Sequence, residues 1–262
     1  MKTSKLLGAL CASTMLFGIH SNTQAQTQFD QVIVFGASFL DSGAILDPLT
    51  GNTTGLRFTN QIDPINGIRG SALSKILTSD LGLGSLQTAS PLPFALIGDP
   101  AARVDGSDDP LDPLDNINFA VGAFQTDGIL NSIVGESFPG SGLPGLNQRI
   151  SLGLLTVSDN ALFLVNAGGN DIRVIADPAL TATTTITILD ELINSGAQTI
   201  ILPTLPRLGE FAEAANANPD GSRTPLALAR TAGAEAFNDL VDIGLSGIDA
   251  NIIRADNESL FD

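Results

Sequence analysis

The 262-residue sequence predicts an α/β domain, a three-layer α/β/α doubly wound arrangement around a mostly parallel five-stranded sheet. Two observations carry that reading. Five short apolar segments recur along the chain, at Gln31–Phe35, 117–121, Ala161–Val165, 199–202 and 250–253, each followed by Gly, Pro or Asp. Most are apolar at both alternating positions, the pattern of strands buried in a parallel sheet with helices over both faces. Between them lie stretches of helical period, and strand alternating with helix is the signature of a doubly wound fold.

In chain order, the first element is a processing signal rather than a part of the fold. Lys2 and Lys5 precede a mostly apolar run at 6–19, and a polar stretch ends in the small residue Ala25. This predicts a secretory signal peptide over residues 1–25, hence a secreted, periplasmic or cell-surface location, with the domain at 26–262. The 6–19 run is short for a spanning helix, and Leu10 is bulky for a lipoprotein cleavage site before Cys11. The first strand, 31–35, is followed by a Gly-, Thr-, Asn- and Pro-rich surface loop at 41–66. A helix over 68–83 would place Leu73, Ile76, Leu77 and Leu81 on one face. A second long loop, 89–116, carries Asp99, Asp105, Asp108, Asp109, Asp112 and Asp115. Clustered carboxylates raise a calcium site, but the spacing matches no EF-hand and a solvated acidic loop is the plainer reading. Helices follow at 179–195, with Leu180, Ile188, Leu189, Leu192 and Ile193 facing inward, and at 226–244, with Ala229, Ala236, Phe237, Leu240 and Val241.

Composition narrows the chemistry. A formal charge of −16 with no Lys/Arg cluster disfavours nucleic acid and anionic membrane surfaces. At 43% hydrophobic and 15% charged residues the chain can nonetheless bury a sizeable core. The only Cys, Cys11, and the only His, His20, precede the predicted cleavage point, and Lys75 is then the single lysine. The domain so defined has no thiolate, no disulfide, no Cys/His zinc site and no histidine general base.

Three segments at predicted strand ends carry the candidate chemistry: Gly36-Ala37-Ser38-Phe39-Leu40-Asp41-Ser42-Gly43, Asn118-Phe119-Ala120-Val121-Gly122-Ala123, and Ala167-Gly168-Gly169-Asn170-Asp171. Parallel strands bring their carboxyl ends to one edge of the sheet, so the three segments converge there. A serine on such a turn presents its hydroxyl to a substrate, with backbone N–H groups beside it. Separately, Ser38 and Asn170 are also good helix caps, and Gly122 a turn former.

With those blocks in that order, the chain resembles the GDSL, or SGNH, family of serine esterases and lipases. The resemblance implies the flavodoxin-like SGNH-hydrolase fold and attack by Ser38 on an ester carbonyl. The oxyanion would be met by the Ser38 N–H, the Gly122 N–H and the Asn170 amide, with no metal or organic cofactor. It implies a small-molecule ester or lipid substrate. The secreted branch it most resembles places the esterase as a passenger of an autotransporter, so an outer-membrane β-barrel would belong to a longer form of the chain.

Two departures qualify the resemblance. Ala37 stands where the family has Asp, and Phe39-Leu40 replace Leu-Ser. The family's Asp-x-x-His block near the C-terminus has no counterpart, since no His follows position 20. A serine needs such a base to be nucleophilic at neutral pH. The expectation is a member cut short before that block and impaired in catalysis. Asp262 as the acid and Lys75 as a substitute base are the weaker options. The alternative from another class is a secreted carbohydrate- or lipid-binding module on the same fold.

Overall fold

Five consecutive fully buried residues, Gln31–Phe35, form strand β1 in the middle of the sheet. The other strands are β2 (Leu86–Thr88), β3 (Asn116–Asn118), β4 (Ala161–Val165), β5 (Thr199–Ile201) and β6 (Asn251–Ile253). The order is β2-β3-β1-β4-β5-β6, and every adjacent pair is parallel. The computed structural model describes residues 29–41, 73–84, 86–89, 116–211 and 222–257. The predicted leader, the acidic residues Asp99 to Asp115 and Asp262 lie outside these, as does nearly all of both long loops.

The α/β fold stands, with a sixth strand beyond the five expected. β2 has only three residues, too few for any periodicity to register. The predicted strand at 117–121 ends earlier, at Asn118, yet the ladder runs on: the N–H groups of Phe119 and Val121 donate to the carbonyls of Val34 and Gly36 at 2.8 and 3.2 Å.

Alternation assigns the strand residues to two cores. Ile33, Phe35, Ile117, Phe119, Phe163 and Val165 face the larger one, under helices α2 (Thr126–Val134), α3 (Leu146–Ser151), α4 (Gly169–Arg173), α5 (Pro178–Asn194) and α6 (Pro225–Leu245). Val32, Val34, Leu162 and Leu164 face the other, where Leu77 of α1 (Leu73–Asp80) packs. Rings of Phe35 and Phe119 stack at 4.8 Å in the larger core. Among the described residues no helix is long and apolar enough to cross a membrane.

Helix starts follow local chemistry. Asp177 caps α5 by accepting from the Ala179 N–H at 2.9 Å, and Thr224 caps α6 by accepting from Ala227 at 3.1 Å. Each is followed by Pro at the first helical position, where a missing N–H costs nothing. The inward faces correct the sequence reading at several positions. Leu73 and Ile76 are 49% and 45% exposed, whereas Ser74 and Thr78 are buried. The reason is that α1 lies against a backbone carbonyl, that of Leu40, which takes the Ser74 hydroxyl at 2.8 Å. Leu180 is 67% exposed because it sits in the first turn of α5, before Thr181 and Ala182 enter the core. In α6 the buried set is Ala227, Thr231, Ala234, Phe237, Asn238 and Val241, leaving Ala229 and Leu240 outside. Buried Asn238 clamps the stretch after β5, accepting from the Leu205 N–H at 2.8 Å and donating to its carbonyl at 2.9 Å.

Candidate active site

Ser38 stands where β1 ends and the chain turns. Ala37's carbonyl receives the N–H groups of both Leu40 and Asp41, at 2.9 and 3.0 Å, so residues 37–41 form one tight helical turn. The turn is anchored from two sides: Leu40's carbonyl also accepts the Asn118 amide at 2.8 Å, alongside the Ser74 hydroxyl. Gly36 lets this happen at close quarters, since a Cβ there would lie 3.0 Å from the Asn166 carbonyl oxygen. Ser38 itself is half-buried. Among the described residues, neither its N–H nor its hydroxyl makes a hydrogen bond.

Gly122 sits in the turn after β3, closed by the Phe124 N–H on the Val121 carbonyl at 3.2 Å. The next residue, Ala123, adopts φ 69°, a left-handed conformation that costs an alanine about 1 kcal/mol or more. The Gly122 N–H is already engaged: it donates at 2.8 Å to a carboxylate oxygen of Asp41, which is fully buried. The sequence reading did not foresee this partner.

Asn170 is the second residue of α4, not its cap. The cap position is Gly168, at φ 88°, where a Cβ would strike the Phe237 ring at 2.7 Å. Asn170 instead sends its side-chain amide to the Phe124 carbonyl at 2.8 Å, joining the third block to the residue that follows the second. One of its two amide hydrogens serves that bond and a second is available. Beside it, the Asp171 carboxylate accepts from the Thr126 N–H, at 3.0 Å by its nearer oxygen, and from the Thr126 hydroxyl at 2.9 Å. It thereby caps α2 from another helix. Burial pushes the Asp171 carboxyl up from its usual 3.8, against the opposing pull of the Thr126 bonds.

The three blocks are thus sewn together by the 121–36, 122–41, 170–124 and 171–126 hydrogen bonds, at the edge where parallel α/β sheets bind ligands. Lys75 lies on α1 next to Ser74 and makes no hydrogen bond to Ser38. Apolar rings stand close by: Phe39, 37% exposed, meets Phe211 at 6.3 Å, and Phe124 stacks on Phe138 at 5.8 Å.

No family model matches the chain. Individual relatives do. Esterase EstA of Pseudomonas aeruginosa is 29% identical over 182 residues, covering 63% of this chain and 26% of that protein, and Esterase EstA of Pseudomonas putida matches equally. Similarity to these esterases supports a GDSL esterase family assignment for the chain. An uncharacterised Pseudomonas putida protein from the trpE-trpG intergenic region is 30% identical to this chain over 246 residues, covering 87% of it and 36% of the relative. The chain therefore spans about a quarter to a third of the length of these relatives. It is also similar to the crystal structure of a lipolytic G-D-S-L family member from Veillonella parvula, at 12% identity and TM-score 0.38, over 86% of this chain and 76% of that one.

Proposed function

We propose that this chain is the nucleophile- and oxyanion-bearing domain of a serine ester hydrolase. The observation that carries it is the juxtaposition at one sheet edge of an unengaged Ser38 hydroxyl and N–H with the Asn170 amide. Attack of the Ser38 Oγ on an ester carbonyl forms the acyl-enzyme and expels the alcohol; water then releases the acid. The developing oxyanion meets the Ser38 N–H and the second Asn170 hydrogen. Gly122 joins as a third donor when its N–H is shared with, or released from, Asp41. The predicted domain contains no histidine to serve as the general base.

The purified chain should therefore turn over p-nitrophenyl butyrate weakly and react slowly with a fluorophosphonate, with free imidazole raising both rates. Ser38→Ala should abolish both reactions, and Asn170→Ala should lower them by roughly 100-fold. Fluorophosphonate labelling that survives in Ser38→Ala defeats the assignment. A high rate without imidazole, lost in Ser38→Ala, would instead show that a base is present in the chain. A second reading, a carbohydrate- or lipid-binding module, is favoured by the Gly122 N–H being taken by Asp41. It requires saturable binding with no ester turnover and no Ser38 labelling.

A further inference from the structure

We propose that Phe39 and Phe211 form an aromatic ledge that receives the acyl chain of the ester, making this site selective for acyl groups of medium length over acetyl. The proposal rests on Ser38 being the nucleophile. Phe39 follows Ser38 in the same five-residue turn, so a group held against its ring lies beside the reacting carbonyl. Phe39 is 37% exposed, at the edge of the sheet where the three blocks meet. Its neighbour is supplied from the far side of β4. Phe211 follows the 3-10 turn Leu208–Glu210, and the two ring centroids are 6.3 Å apart with planes tilted by 44°.

Both rings are rigidly carried. The turn bearing Phe39 is pinned by the two bonds onto Leu40's carbonyl. The turn before Phe211 is pressed against α6, where a Cβ on Gly209 would run into the Ala227 carbonyl, and Phe211 packs on the larger core. Ligand pockets combine such fixed apolar walls with a few polar groups that orient the ligand, here Ser38 and Asn170. Phenylalanine where the resembling family has leucine makes the ledge a feature of this chain. A tilted aromatic pair offers flat, polarizable surface to methylenes, each worth a few-fold in affinity when buried.

The test uses Ser38→Ala protein, in which no ester is consumed, titrated with methyl acetate, methyl butyrate and methyl octanoate by NMR. Octanoate should bind roughly 10-fold or more tighter than acetate, with shifts centred on Phe39 and Phe211. Adding Phe39→Ala should cut that ratio by roughly 5-fold, with Phe39→Leu in between. Phe39 is at the surface, so these variants keep the fold even if Phe211→Ala does not; melting temperature checks it. A ratio unchanged by Phe39→Ala and Phe39→Leu, shifts centred elsewhere, or no octanoate binding up to its solubility overturns the ledge. If the ratio depends on Phe39 but the parent chain's Ser38 resists fluorophosphonate, the esterase reading falls, and with it the assignment of the ligand as an acyl group.

Discussion

Gly168 shows how much one residue decides at this site. It holds φ 88°, and its missing Cβ leaves room for the Phe237 ring that backs the Asn170 block. Gly168→Ala combines a left-handed alanine with overpacking, a loss of roughly 2–5 kcal/mol measurable by urea unfolding. Phe237→Leu in the same chain should recover part of it in a double-mutant cycle, because it removes the clash and not the φ penalty. Asp171 makes a pH-dependent prediction. Its folded pKa is raised by burial, so its contribution to stability is whole below the ordinary 3.8 and is lost as pH rises through the folded value. Asn at that position keeps an acceptor for Thr126 without ionising. The stability of Asp171→Asn relative to the parent should therefore improve as pH rises from 3.5 to 7. A difference flat in pH would mean that Asp171 pays no ionisation penalty.

Caps and clamps govern the elements. Thr224 and Asp177 each satisfy an N–H at the start of the helices flanking β5, and Thr224→Ala should cost about 1 kcal/mol while Thr224→Ser costs little. The period of the apolar residues placed these starts at 179 and 226, within one residue of the observed Pro178 and Pro225. Inward faces were less legible. A helix read by its leucines instead buries Thr78 and turns Ser74 toward the 37–41 turn, since a buried carbonyl must find a donor and a leucine can wait at the surface. The same logic puts Asn238, a poor candidate for a core position by polarity, at the centre of α6's contact with Leu205.

Across the whole molecule, the two cores separated by the sheet carry the stability, and the site rides on their rigidity. Phe163, fully buried in the middle of β4, is the sharpest probe: Phe163→Ala should cost roughly 3–5 kcal/mol, read as a lower urea midpoint. The residues that this sequence determined by itself are those whose signal is short-range. Strands β1 and β4 were bounded to the residue by runs of mostly apolar side chains, and with them the place of Ser38, Gly122 and Asn170 beyond strand ends. What those three groups are bonded to was decided only by tertiary structure. Gly122 and Asp41 are 81 residues apart, Asn170 and Phe124 46, and Asp171 and Thr126 45. No local pattern encodes which buried N–H finds which distant carboxylate, because that choice is made when the parallel strands align and every buried polar group must take a partner from whatever the fold brings within reach.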